Sequence, residues 1–247
     1  MKAVILAAGK GTRMRDLTDE IPKPMLRVQG KPILQHIVEG LVSVDIREFC
    51  IVTGWHAEVV ERYFGDGSQF GARICYVRQV VQDGTGKAPE LAKSFAGTAP
   101  FLLTYGDILV KPETYAAMLK RWSSGRFSGL VTVTGSEDVT KGGLFFFDAD
   151  FCLKHLVEKP GAAQLTDLSA QGWLKPGETA WYNAGIYLFD PALFMFTATI
   201  QKSPRGEYEL TDALTAMLAA GHQIAGLQIA GRWVDVRDPE VLASLQE

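Results

Sequence analysis

Near its N-terminus the chain reads Val4-Ile5-Leu6-Ala7-Ala8-Gly9-Lys10-Gly11-Thr12-Arg13-Met14-Arg15, an apolar run that passes without a polar break into a glycine-rich turn. A short unbroken apolar run is the mark of a strand buried on both faces, inside a sheet covered by helices. Gly9 and Gly11 have no Cβ, so backbone N–H groups there can approach an anion, and Lys10, Arg13 and Arg15 add positive charge beside them. That combination suits a polyphosphate at the end of a strand. The competing explanation is a glycine-rich strand-to-helix turn that binds nothing. Two familiar glycine motifs fail here: the dinucleotide pattern needs Gly or Ala where Met14 stands, and Gly86-Lys87 is followed by Ala88 and lacks the upstream glycine of a Walker A loop.

Outward from this turn, short apolar runs alternate with amphipathic segments. After Pro22-Lys23-Pro24 a helix is predicted from Pro32, with Ile33, Leu34, Ile37, Val38 and Leu41 on one stripe. Strands are predicted at Phe49–Thr53, Arg73–Val77 and Phe101–Tyr105, with helices at Glu58–Phe64, after Gly86 and from Pro112. Such alternation favours parallel pairing through right-handed crossovers. From about residue 127 the pattern turns β-rich: Leu130–Thr134, then Gly143–Phe147 and Leu153–Val157 joined by the acidic turn Asp148-Ala149-Asp150, a hairpin signature. A polar stretch through Gly161, Gly172, Pro176 and Gly177 leads to a strand at Ala184–Phe189. A helix is predicted from about Glu207, a strand at Ile224–Ile229, then Trp233-Val234-Asp235 and a terminal helix capped by Asp238-Pro239. The expectation is one domain over residues 1–247, with a nucleotide half to about 110 and an acceptor half over about 111–247.

Composition narrows the partners. At 247 residues, 47% hydrophobic and 21% charged, the chain can bury a large core without metal or disulfide, which excludes disordered and rod-like classes. A net charge of -3 removes the electrostatic case for nucleic acid or an anionic membrane as a partner. Cys50, Cys75 and Cys152 are scattered and odd in number, which argues against a disulfide framework or zinc site and suits a reducing cytoplasm. The apolar run Ala3–Ala8 is too short for a signal peptide, so a soluble, unprocessed, cytoplasmic protein is expected.

The glycine loop followed by Pro22-Lys23-Pro24-Met25-Leu26 and Gly30-Lys31-Pro32-Ile33 resembles the signature of the sugar-1-phosphate nucleotidyltransferases, in particular the short glucose-1-phosphate thymidylyl- and uridylyltransferases. The resemblance runs along nearly the whole chain. Asp83-Gly84-Thr85-Gly86-Lys87-Ala88, Tyr105-Gly106-Asp107, Glu158-Lys159-Pro160, Asn183-Ala184-Gly185, Gly206-Glu207-Tyr208-Glu209-Leu210-Thr211-Asp212 and Trp233-Val234-Asp235 look like family blocks in the family's order. It implies an α/β fold, a three-layer α/β/α Rossmann-like arrangement on a mainly parallel mixed sheet. It also implies a reaction in which a sugar 1-phosphate oxygen attacks the α-phosphorus of a nucleoside triphosphate in line, releasing pyrophosphate. Both reactants are anions, so positioning and charge neutralisation carry the catalysis.

By this resemblance Arg13, Lys23 and Asp107 are the catalytic candidates. Ala8, Gly9, Gly11, Thr12, Arg13 and Lys23 would hold the triphosphate, while Gln79, Gly84 and Thr85 would meet the base, with UTP or dTTP favoured. Gly143, Glu158, Lys159, Asn183 and Gly185 match positions that bind the sugar and its phosphate. Asp107 and Asp235 match the family's metal aspartates, and Mg2+ is the implied cofactor; two carboxylates suffice for it, since it fills its other positions with water and phosphate. No nucleic-acid or membrane partner is implied, and a homo-oligomer is compatible with the family. The chain departs from the pattern in three places. The segment 161–181 is long and carries Trp173 and Trp181 beside the implied sugar site, where their faces can stack on a sugar or equally pin a loop or a subunit contact; Val236-Arg237 stands where Gly-Thr is common; and no acyltransferase or β-helix region follows, which leads to the expectation of a stand-alone enzyme. Three rival readings remain: a cytidylyltransferase using CTP with a sugar phosphate or a phosphorylated alcohol, a glycosyltransferase using Asp148-Ala149-Asp150 as its metal motif, and a non-catalytic nucleotide or sugar-phosphate sensor.

Overall fold

The computed structural model describes residues 1–135 and 137–246. The opening apolar run is strand β1 (Lys2–Ala7), and its side chains alternate between two covered faces: Ala3, Ile5 and Ala7 enter one core, Val4 the other. Two short strands follow, β2 (Arg27–Val28) and β3 (Lys31–Pro32). Helix α1 (Ile33–Val42) then buries Ile33, Leu34, Ile37, Val38 and Leu41 on the expected stripe. Next come β4 (Glu48–Thr53), α2 (Ala57–Phe64), β5 (Arg73–Arg78), the single turn α3 (Lys93–Ala96), β6 (Phe101–Tyr105), β7 (Ile108–Val110) and α4 (Pro112–Ser123). The second half holds β8 (Gly129–Thr134), β9 (Gly143–Phe147), β10 (Leu153–Glu158), α5 (Ala162–Ala170), β11 (Trp181–Phe189), α6 (Leu193–Thr197), α7 (Leu210–Ala219), β12 (Ile224–Gln228), β13 (Trp233–Asp235) and α8 (Pro239–Ser244).

Nine strands form one mixed sheet in the order β10-β9-β11-β6-β1-β4-β5, with β8 pairing β11 and β12 pairing β8. The run β6-β1-β4-β5 is parallel throughout. β11 then runs antiparallel to β6, β8 and β9, and joins the two halves of the chain into one sheet. One face is covered by α1, α2 and α4, through residues such as Leu34, Ile37, Phe64 and Met118. The other carries Ala92, Leu193, Phe194, Leu214 and Met217. Each fully buried Leu, Ile or Phe of these layers contributes about 1.5–3 kcal/mol, so the two cores fix the sheet between helices as a three-layer α/β/α fold.

Several local expectations change. The glycine turn does not enter an α-helix: 3-10 turns span Thr12–Thr18, broken at Arg15, whose φ is 54°. After Gly86, Pro89 stands in a 3-10 segment over Ala88–Ala92 rather than in a full helix. The helix predicted from Glu207 starts at Leu210, because the residues before it lie extended over the 83–86 segment: Tyr208 N donates to Asp83 O at 2.7 Å and Gly86 N to Tyr208 O at 2.8 Å. The polar 161–181 stretch contains α5, which buries a single residue, Leu168, against Leu144 and Phe146. One apolar position in nine residues is too faint a period to read in sequence. Asp148-Ala149-Asp150 is the expected hairpin turn, with Asp148 Oδ1 accepting from the N–H groups of Asp150 and Cys152. No helix among the described residues is long and apolar enough to cross a membrane.

Candidate active site

Parallel strands end on the same edge of a sheet, so whatever follows β1, β5 and β6 is gathered in one place. Ala8 to Arg13 follow β1, Gln79 follows β5 and Asp107 follows β6. β11 runs the other way and therefore brings its beginning, Trp181 to Gly185, to that edge. Between Asn183 and Tyr187 its pairing register with β8 shifts. This irregularity places Asn183 and Gly185 at the crevice, a frequent use of bulges beside functional sites. Gly143 opens β9 directly opposite Glu158, which closes β10.

The result is one crevice of two compartments. The larger, about 460 Å3, is lined by Ala8, Gly9, Gly11, Thr12, Lys23, Gln79 and Gly84 among others. The smaller, about 250 Å3, is lined by Gly143, Glu158, Lys159, Asn183, Gly185 and Asp235 among others. Arg13, Thr85, Tyr105, Asp107, Glu207 and Arg237 line both and mark where they meet. The residues named for the nucleotide, sugar-phosphate and metal sites all border this crevice, with Arg13 and Asp107 at the junction, Lys23 in the larger compartment and Asp235 in the smaller.

Asp107 and Asp235 reach each other through the antiparallel ribbon β7–β13, in which Asp235 stands opposite Ile108 and Val236 N donates to Asp107 O at 3.0 Å. The ammonium of Lys23 lies 2.5 Å from Asp107 Oδ2 and 3.8 Å from Asp235 Oδ1. Burial, and next the charge of Asp107, push the Asp235 carboxyl up to about 6, against the pull of Lys23, Arg237 and Arg13. The pair fits magnesium on an observation of this structure: the two carboxylates already converge on one cation, the Lys23 ammonium. Among the described residues no group of three or more His, Cys, Asp or Glu is placed to hold a metal, so a magnesium ion held by Asp107 and Asp235 would have to complete its shell with water and phosphate.

Donor-side geometry depends on close backbone packing. Gly11 has φ 66°, and a Cβ there would lie 2.9 Å from Lys23 Cβ, so the glycine seats the loop on the lysine stem. Gln79 is buried; its Nε2 donates to Gly84 O at 3.3 Å, and Gln82 Nε2 donates to Gln79 O at 3.0 Å. Gly84 has φ 116° and pairs with Tyr208, where a Cβ would stand 2.2 Å from Tyr208 O. On the acceptor side, Glu158 accepts from Thr211 Oγ1 at 3.1 Å, and its carboxyl is raised by burial and then by the charge of Glu209. A polar chain runs from the smaller compartment to the junction: Asn183 Nδ2 donates to Tyr187 OH at 2.8 Å, and Tyr187 OH donates to Tyr105 OH at 3.2 Å.

Some sequence expectations are corrected. Lys10 borders the donor compartment, but its ammonium sits over the Trp55 ring, 4.5 Å from the centroid. Arg15 turns toward Glu240 at 3.8 Å, away from the crevice. Trp173 packs on Phe146 and His155, and Trp181 on Phe151, so both pin the hairpin and α5 rather than face a sugar. Sequence reading missed Tyr182 and Trp233, which line the acceptor compartment in a T-shaped pair with centroids 5.8 Å apart. Trp233 stands in a quoted family block, and that was its only signal. Arg237, where the family usually has a small pair, ion-pairs with Glu137 at 2.8 Å and borders both compartments.

A glycine loop at the end of a parallel strand, with a half-buried lysine bridging two aspartates beside it in a divided crevice, defines an α/β protein whose site gathers both cationic and anionic groups. The chain belongs to the nucleotidyl transferase family, whose model matches residues 2–246. It is 31% identical over 241 residues to the low-salt glycan biosynthesis nucleotidyltransferase Agl11 of Haloferax volcanii, covering 97% of this chain and 63% of that protein. It is 29% identical to the UTP--glucose-1-phosphate uridylyltransferase AglF of the same organism, covering 97% and 93%. A bifunctional protein GlmU of Methanococcus maripaludis is 30% identical, with 97% of this chain and 52% of that protein aligned. The chain thus spans between about half and two thirds of the length of Agl11 and GlmU. Among solved structures, a putative glucose-1-phosphate thymidylyltransferase from Bacillus anthracis superposes with a TM-score of 0.84 at 25% identity, covering 100% of this chain and 94% of that one.

Proposed function

We propose that the protein is a nucleotidyltransferase that condenses a nucleoside triphosphate with a sugar 1-phosphate to give a nucleotide sugar and pyrophosphate. The observation that carries this reading is the meeting of two compartments at Arg13, Asp107 and Arg237, with Lys23 and Asp235 beside them. A triphosphate on the glycine loop would put its α-phosphorus at that junction, in line with a sugar phosphate held by Lys159, Glu158 and Asn183. In-line transfer between two anions needs alignment and positive charge more than a protein nucleophile. Lys23 and Arg13 supply that charge toward the departing pyrophosphate. Magnesium held by Asp107 and Asp235 would neutralise phosphate charge and hold both reactants in register.

On this reading residues 1–247 form one domain, with a donor half over about 1–110 and an acceptor half over about 111–247, working in the cytoplasm. UTP or dTTP is the favoured donor, because the buried Gln79 amide beside Gly84 and Thr85 can offer a donor and an acceptor to a pyrimidine edge. The names of AglF and of the superposed thymidylyltransferase, both of which give glucose 1-phosphate, support the sugar 1-phosphate acceptor. The glycosyltransferase reading loses its support, since Asp148 is engaged in the hairpin turn and with Lys154 at 2.9 Å, outside the crevice. The test is pyrophosphate release from UTP, dTTP, CTP, ATP and GTP with a panel of sugar 1-phosphates and phosphorylated alcohols in magnesium. Turnover with UTP or dTTP and a sugar 1-phosphate is expected. Turnover confined to CTP would replace the donor assignment, and binding without turnover in any combination would turn the reading to a sensor.

A further inference from the structure

Lys23 has two sets of neighbours at once. Its stem lies beneath Gly11, and the residue lines the donor compartment with Arg13 and Thr12. Its ammonium points to the junction of the compartments, onto Asp107 Oδ2 at 2.5 Å and toward Asp235 Oδ1 at 3.8 Å. The side chains of Lys23, Asp107 and Asp235 are only 13%, 26% and 20% exposed, so water screens these charges poorly. Two carboxylates in such a place repel unless a cation lies between them, and here the lysine is that cation.

An ammonium and a divalent ion cannot share this position without strong repulsion. We propose that Lys23 is an internal counter-ion that competes with the divalent cation for Asp107 and Asp235, so that the pair takes up metal readily only after an anion in the donor compartment has drawn the lysine away. The inference rests on the assignment of Asp107 and Asp235 as the metal pair. A triphosphate on the glycine loop is the anion placed to do this, since Lys23 can exchange a carboxylate for phosphate oxygens and keep a charge-assisted bond throughout. Metal and triphosphate are then coupled ligands: each strengthens the binding of the other, and Lys23 is the element whose position both bias. In the metal-free protein the lysine also holds the two aspartates together, so the site is assembled before its ligands arrive.

The test reads Mn2+ affinity of the nucleotide-free protein at about pH 8, from the paramagnetic resonance signal of free Mn2+, with melting curves to confirm folding. Lys23→Met and Lys23→Gln are expected to bind Mn2+ roughly tenfold or more tightly than the parent chain, whereas Lys23→Arg, which keeps the cation, is not. Adding Asp107→Asn to Lys23→Met should abolish the gain. Equal affinity in the parent and Lys23→Met, with Asp107→Asn and Asp235→Asn weakening both, would leave the metal pair standing and overturn the competition. Affinity unchanged by any of these substitutions would remove the metal assignment, and the inference with it.

Discussion

At the scale of single residues the crevice is governed by a few charges that cannot be satisfied independently. Asp107→Asn and Asp235→Asn remove half of a two-carboxylate site while keeping shape, so turnover is expected to fall by about two to four orders of magnitude with the fold retained. Steady-state pyrophosphate release together with far-ultraviolet circular dichroism checks this; near-normal turnover in both would refute the metal pair. Asp235 also predicts a pH signature. Its carboxyl is raised to about 6, so from about pH 4 upward the unfolded chain gives up a proton that the folded chain retains. The resulting destabilisation is absent below about pH 4, grows toward pH 6 and is complete above it. Asp235→Asn should therefore raise the melting temperature of the metal-free protein in EDTA at pH 7.5, and the gain should shrink toward pH 4. A variant that melts lower than the parent at pH 7.5 would mean that the Lys23 contact outweighs the burial of the charge.

Whole elements explain why residues distant in sequence share one site. The 207–209 segment lies over the 83–86 turn, held by the Gly84–Tyr208 bridge and by Lys202 paired with Asp83 at 3.5 Å. Because a Cβ on Gly84 would collide with backbone at Tyr208, Gly84→Ala must part the two segments. The expected cost is about 2–4 kcal/mol in urea unfolding, with a raised KM for the nucleoside triphosphate. An unchanged KM would show that this turn does not contact the donor. The tryptophans separate structure from recognition in the same way. Trp173→Ala should lower the melting temperature by loosening the Phe146–His155 face while leaving the acceptor KM unchanged. Trp233→Ala should raise the acceptor KM, since its ring borders the acceptor compartment and its Nε1 donates to Ala184 O at 2.8 Å. The reverse pattern would return Trp173 to the sugar site.

Over the whole molecule, β11 makes the two halves thermodynamically one. It bonds to β6 in the first half of the chain and to β8 and β9 in the second, so the halves meet inside one continuous sheet along the β6–β11 pair. Calorimetry is expected to show a single transition whose calorimetric and van't Hoff enthalpies agree, shifted upward by magnesium and nucleoside triphosphate together. Two resolved transitions would mean that the halves are separable domains. The first half of the chain was legible from the sequence because its signals are local. Buried strands read as apolar runs, α1 as a stripe at helical spacing, and the phosphate turn as glycines directly after β1. Asp238-Pro239 was legible for the same reason: Asp238 accepts from Val241 N, a cap written within four residues. What only the tertiary structure decided is which distant groups meet. The register of β7 against β13 brings Asp235 to Asp107, the antiparallel course of β11 brings Asn183 to the sheet edge that carries the glycine loop, and packing turns Arg15, Trp173 and Trp181 away from the crevice. Periodicity states that a face is buried but not against what, and a charge pair formed across the sheet edge leaves no mark in local sequence because its energy depends on separation in space, not along the chain.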